Sequence, residues 1–276
     1  SIAVLCKSVN SKLMVFDMGI DSFDTEIYSL GVLNHKLMHG SNNFLKEKAM
    51  PLDITIRAIL TGINTVKELK ENKVTVIGTG EMGIGNTTTS SALSAAMLNL
   101  PVETVTSRGA GLDDTKLKKK INVIYKGIEK YGFRDKLFLD SINSDDTKVR
   151  VLAILDLLSS VGGLDIAAIT GVFIGGGIYK LPIVIDGVIS EVAAALAYFL
   201  NPLCKEYMLA SHLSREPVAS IIFDMLKLNP VIDASLALGE GSGCAMLFSL
   251  LDMIFEIYTK NAYFSDIKIE KYKRFV

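Results

Sequence analysis

The chain has 276 residues, 49% apolar and 21% charged, which suits one large domain or a domain with a small satellite and excludes a disordered chain. With 29 Lys and Arg against 30 Asp and Glu, no basic excess marks a nucleic-acid or anionic-membrane binder, so an anionic ligand must be held by local geometry. Cys6, Cys204 and Cys244 lack metal-ligand spacing, and no third ligand stands near His35 and His39, so the sequence predicts free thiols in a reducing, cytoplasmic setting, without metal or cofactor.

Ser1 to Leu5 begins inside an apolar pattern with no initiator Met or leader signal, which predicts further sequence ahead of it. Leu13–Asp17 reads as a first strand, 52–71 as a helix and Val74–Ile77 as a second strand. Helices are then predicted over 87–98, 113–131, 146–158 and 164–176. The strand Ile183–Ile185, a helix over 188–200, the strand Tyr207–Ala210 and helices over 215–227 and 243–259 follow. The longest uncharged stretch of the most apolar region, Ile166–Tyr179, is shorter than the roughly 20 residues a membrane span needs, and reads as soluble core. Lys116–Lys120 is a local basic run that suits a solvated helix face, and the tail from Asp266 onward is a charged extension. Continuous apolar strands alternating with helices predict an α/β fold, doubly wound around a mainly parallel sheet. In such sheets ligands bind beyond the carboxyl ends of the strands, where this chain places its Gly, Asp and Ser clusters.

The densest signal is the loop Gly78-Thr79-Gly80-Glu81-Met82-Gly83-Ile84-Gly85-Asn86-Thr87-Thr88, between a strand and a helix. Glycines let consecutive amides converge on an anion, and the helix start adds unpaired N–H donors, so phosphate is the natural guest. Gly78, Gly80 and Gly83 also fit the dinucleotide-binding pattern, which is weak by itself. A P-loop is excluded because no Gly-Lys-Ser/Thr follows. A tight turn without ligand remains the bland alternative.

With Glu81 inside it, this loop resembles the signature of the nicotinate-nucleotide:dimethylbenzimidazole phosphoribosyltransferase family, also called CobT. Further segments match in order: Leu13–Gly19, Arg108–Asp114 with Lys120, Val161–Ala167, Val184–Ser190, Ser211–Pro217 and Leu238–Gly243. The resemblance covers nearly the whole chain. It implies a Rossmann-like large domain over 12–242 and a small helical domain from both chain ends, here 1–11 and 243–276. It implies a homodimer that moves 5-phosphoribose from nicotinate mononucleotide to a benzimidazole-type base in cobamide assembly. Glu240, in Leu238-Gly239-Glu240-Gly241, would be the catalytic base. Glu81, Met82, Gly83, Ile84, Gly85, Asn86 and Thr87 would hold the phosphate end, with Glu81 also near ribose and nicotinate. Gly109, Lys120, Asp186, Gly187, Ser214 and Leu238 would line the pocket. The family has a further amino-terminal segment that contributes to the base pocket and is not part of this sequence, which leaves a purine or phenolic acceptor open beside the benzimidazole; a non-catalytic nucleotide-binding partner subunit is the alternative from another class.

Each residue also has a plain reading. Glu240 could be a carboxylate drawn to the start of the helix near Gly243, and Glu81 a cap for the helix after its loop. Lys120 could be an ordinary surface lysine. Asp186 ends a buried strand, where an unpaired carboxylate is costly. Ser214 and Arg215 could simply start the helix at Glu216-Pro217. Met82 and Met97 read as packing residues.

Overall fold

The computed structural model describes residues 1–109 and 111–262. It begins with α1 (Ile2–Ser8), β1 (Val15–Asp17), the single turn α2 (Glu26–Ser29) and β2 (Val32–Asn34). The long α3 (Leu52–Glu71), the two-residue β3 (Ile77–Gly78), α4 (Asn86–Met97) and α5 (Asp114–Lys130) follow. Then come α6 (Lys136–Ile142), α7 (Thr147–Val161), α8 (Leu164–Tyr179), β4 (Ile183–Ile185) and α9 (Val188–Leu200). β5 (Met208–Ala210), α10 (Ala219–Leu226) and α11 (Ser242–Lys260) complete the described order. All pairings among these strands are parallel: β1 with β2 in one sheet, and β3-β4-β5 in that order in another.

The α/β class with parallel strands is as the sequence predicts, and all eight predicted helices are present. The single sheet is not: the described strands form two small sheets of two and three strands. β3 starts only at Ile77, because the Val74 amide turns back to donate to Leu69 O and close the end of α3. β1 starts at Val15 rather than Leu13, and α10 at Ala219 rather than 215, after a turn in which the Ala219 amide donates to Glu216 O. Met97 is buried as predicted, whereas Met82 stands almost wholly in solvent. In the basic run, Lys116, Lys118 and Lys119 are exposed as expected, but Lys120 is buried.

Local chemistry explains the elements. Asp113 caps α5 by accepting from the Lys116 amide at 2.8 Å, and Asp146 caps α7 through Lys148 N. α8 and α9 are apolar all round and lie inside the protein. α3 and α8 meet backbone to backbone: a Cβ on Gly62 would lie 2.0 Å from Ala168 O, and one on Gly171 1.9 Å from Ile59 O, so only glycine fits at either. The main core, around Phe133, Phe173, Phe223 and Leu157, lies between these helices and the strands. A second small core, Val184, Cys244 and Leu247, fixes the start of α11 on β4, and α1 packs on α11. Among the described residues α11 alone is long and apolar enough, by length and composition, to cross a membrane; Cys244, Ala245 and Leu247 at its start are buried in the protein. The predicted tail from Asp266, and the end of the 243–276 segment, lie outside the described residues.

Candidate active site

Strands β3, β4 and β5 run parallel and side by side, so the segments that leave their carboxyl ends emerge on one side: Thr79-Gly80, Asp186-Gly187 and Ser211-His212. Thr79 ties the first two together. Its hydroxyl donates to Val184 O at 2.8 Å and lies 3.0 Å from the Ser190 hydroxyl at the start of α9.

The glycine loop then runs to α4. Gly85, at φ +83°, caps that helix in the left-handed region, and no side chain bonds its first-turn amides. Met82 and Ile84 point into solvent, so these two residues can offer a ligand inside only their backbone. At its centre the Asn86 side-chain amide donates to two carboxylates, those of Glu81 and, at 2.8 Å, Asp165 at the start of α8. Burial pushes the Glu81 carboxyl up to about 7, with Asp165 and Asp186 adding to the rise and Asn86 and the Gly83 amide opposing it. Glu81 therefore does not cap α4; it is a carboxyl poised to change charge near neutrality.

Lys120 reaches the same loop from α5. Its ammonium donates to Thr87 Oγ1 at 3.0 Å and to Ser107 O at 3.1 Å. Burial lowers its pKa, and the negative charge of Glu216 partly restores it. Gly109 backs onto Thr87 so closely that a Cβ would lie 2.9 Å from its hydroxyl. Thr87, Gly109 and Lys120 thus form one cationic corner beside the uncapped helix start, and the surface-lysine reading fails.

Gly239, Glu240 and Gly241 have φ of +71°, +59° and +86°, three left-handed residues in succession. A non-glycine residue there costs on the order of 1–2 kcal/mol, so the turn needs external support. Asp186 supplies it, accepting from Gly241 N at 2.9 Å and Gly243 N at 2.8 Å. The start of α11 is therefore satisfied by Asp186, not Glu240. The Glu240 carboxylate instead accepts from Ile2 N at 3.4 Å. The turn also abuts the glycine loop: a Cβ on Gly80 would lie 2.7 Å from Gly241 N and 2.8 Å from Glu240 C.

Of the sequence-predicted residues, Glu81, Gly83, Gly85, Asn86, Thr87, Gly109, Lys120, Asp186, Gly187 and Ser214 lie on the segments leaving the strand ends or on the α4–α5 corner, and Glu240 lies on the turn before α11 that abuts Gly80. Gly187 caps α9, and the Ser214 hydroxyl is buried without a partner, ahead of rather than within the start of α10. Leu238 is half exposed and, with Met82 and Ile84, has its side chain turned outward. Sequence reasoning assigned no role to Asp165, Thr79 or Glu191, although Asp165 and Thr79 sat inside quoted motifs. Two open surface hollows of about 370 and 550 Å³, along Asn34–Leu37 with α3 and along α5, are lined by none of these residues.

A family profile described as Phosphoribosyltransferase matches residues 1–269. The nicotinate-nucleotide–dimethylbenzimidazole phosphoribosyltransferase of Clostridium acetobutylicum is 38% identical over 272 residues, spanning 99% of this chain and 72% of its own. The enzyme of the same name from Clostridium perfringens is 39% identical over 269 residues, 98% of this chain and 69% of its own. A crystal structure of CobT from Thermus thermophilus superposes with a TM-score of 0.84 at 29% identity, covering 98% of this chain and 75% of that one. On the strength of this shared sequence and fold, the chain belongs to the nicotinate-nucleotide–dimethylbenzimidazole phosphoribosyltransferase family.

Proposed function

We propose that the chain moves 5-phosphoribose from nicotinate mononucleotide to a benzimidazole-type base, yielding α-ribazole phosphate and nicotinate for cobamide assembly. The observation that carries the reading is the contact of Gly80 with the Glu240-Gly241 backbone, which sets an acidic side chain beside an anion-binding loop. In this reading the phosphate rests on the uncapped amides of α4 and on Lys120.

The donor's leaving group is a cationic pyridinium. When the C1′–N bond breaks, its electron pair neutralises that nitrogen, and no general acid is needed. The incoming base forms the new C1′–N bond with its lone pair and must lose the proton on its other nitrogen. Glu240, partly exposed on the turn beside the glycine loop, takes that proton. Positive charge accumulates on the ribose in between, where the carboxyl groups of Glu81 and Asp165 lie close to the loop and favour it electrostatically. Because Glu81 changes charge near neutrality, it can be neutral while the phosphate enters the loop and ionised where positive charge develops on the ribose.

The same reading makes α1 and the 243–276 segment a small helical domain beside a large domain over 12–242, and the working unit a homodimer. The exposed apolar face of α11, with Ile254, Phe255 and Tyr258, supports the latter. Three free, buried cysteines support a cytoplasmic setting.

The test is chromatography of the protein with nicotinate mononucleotide and a benzimidazole. Nicotinate and the nucleotide product are expected in equal amounts, and Glu240→Gln should lower kcat by about 10²- to 10⁴-fold while the donor still binds. Undiminished turnover in that variant removes Glu240 from the base role.

A further inference from the structure

The first turn of α9 carries a carboxyl the mechanism above does not use. Glu191 is fully buried, and among the described residues neither of its oxygens has a hydrogen-bond partner. The Ser214 hydroxyl faces it from the segment after β5, close enough to stabilise the carboxylate, yet it too is buried and without a formed bond. Three unpartnered polar atoms thus meet beneath the ends of two neighbouring strands, next to the Asp186 that supports the Glu240 turn. Buried polar groups of this kind cost stability unless a partner completes them, so their retention in one place points to a use.

We propose that Glu191 is a positioning residue for the phosphoribosyl donor: from beneath the strand ends it sets the direction in which the Ser214 hydroxyl presents its proton. The inference rests on the reading that Ser214 lines the donor pocket.

The chemistry follows from donor and acceptor counting. A neutral carboxyl donates its O–H to Ser214 Oγ, which frees the serine proton to point outward at an anionic or hydroxyl oxygen of the donor. An ionised carboxyl can only accept, so it draws the serine proton inward and turns the oxygen's lone pairs toward the ligand. The protonation state of one buried group therefore decides whether the pocket offers a donor or an acceptor.

The surroundings favour the neutral form. Burial is the largest cause, and the negative charges of Asp186 and Glu216 add to it, raising the carboxyl to about 8 against the opposing pull of Ser214. On α7, α8 and α10, which pack against α9, the other charges are engaged or outward-facing, and Lys205 and Glu206 follow the far end of α9, partly or fully exposed. Asp165 bonds Asn86, Arg150 bonds Phe199 O, Asp156 pairs with Lys48, and Lys148 and Asp224 are exposed. Among the described residues no lysine or arginine adds to the forces that would favour an ionised Glu191.

The experiment is calorimetric titration of nicotinate mononucleotide into the whole protein between pH 7 and pH 9, a window above the phosphate's own second ionisation near pH 6. If only the neutral form presents the donor, the Kd of the unmodified protein rises by roughly tenfold across that window. Glu191→Gln donates through its amide and cannot ionise, so its Kd should change markedly less. Lys120 and Glu81 are present in both proteins, and only the difference between the two curves is read. Ser214→Ala, which removes the responding hydroxyl, should bind more weakly at pH 7 and lose the same part of the pH dependence; it also serves should Glu191→Gln fail to fold. Parallel curves for Glu191→Gln and the unmodified protein, with Ser214→Ala weakened, overturn the role of Glu191 alone. Unchanged affinity in Ser214→Ala overturns the placement of Ser214 and the inference with it.

Discussion

Gly80→Ala tests the central juxtaposition most directly. The φ of Gly80 is not in the left-handed region, so alanine meets no backbone penalty there and any effect is steric. Its Cβ would lie 2.7 Å from Gly241 N and 2.8 Å from both Glu240 C and Gly241 Cα, and none of these atoms can rotate away. Restoring an ordinary 3.4 Å contact requires the glycine loop and the Glu240 turn to part by roughly 0.7 Å. Such a shift would stretch the bond from Gly241 N to Asp186, now 2.9 Å, beyond useful length. Overpacking of this kind costs about 1–3 kcal/mol, equivalent to a few degrees of Tm for a chain of this size. Because displacement by about 1 Å can cost a factor near 100 in rate, kcat should fall roughly 10- to 100-fold. Differential scanning calorimetry and steady-state assays on the same preparation give both numbers. Gly187→Ala is the stability control, since its Cβ would meet nothing within 4 Å, and its Tm should hold within about a degree. A Gly80→Ala protein with unmodified Tm and kcat would show that the two loops are not in contact, and the proposed geometry would fall.

Asp186→Asn keeps the shape but leaves one acceptor oxygen for the amides of Gly241 and Gly243, so urea unfolding should report a loss of about 2–4 kcal/mol together with reduced turnover. Lys120→Met removes the buried ammonium beside Thr87 and should raise the KM for nicotinate mononucleotide by roughly 10- to 100-fold; an unchanged KM would place the phosphate elsewhere. Glu191 predicts a pH signature in stability as well. Its carboxyl is raised in the folded state, so its contribution is fully present below about pH 4.5 and is lost as pH rises toward about 8. Glu191→Gln should therefore gain on the unmodified protein, by up to a few kcal/mol, as urea unfolding is moved from pH 5 to pH 8, and a constant difference would refute the burial of that charge.

The parts of the fold set by local chemistry were legible. Helices with a strong period or a capping aspartate, such as α5 and α7, appear within three residues of their predicted ends. The strands were harder, because pairs of two or three residues depend on tertiary partners rather than on propensity: β2 went unseen, and one expected sheet proved to be two. Lys120 shows the same boundary at the level of a side chain. Four lysines in five residues look alike in sequence, and only the rotation of α5 against Thr87 and Ser107 sends the last one inward. Glu191 was hidden differently, as a single acid in an apolar run where helix periodicity gives no reason to separate it from a surface residue.

The division of labour between Asp186 and Glu240 joins fold to chemistry. The start of α11 would favour a negative charge, and a carboxylate that bonded its amides would be a weaker base for that reason. Asp186, reaching across from the end of β4, takes both amides itself. It thereby holds a left-handed turn that would otherwise relax and leaves Glu240 free of the helix end. The adjoining glycine at position 80 admits that turn against the loop without a side chain between them. Base, helix start and anion-binding loop are consequently positioned by one buried aspartate and one missing Cβ, and neither requirement can be met by a change at Glu240 itself.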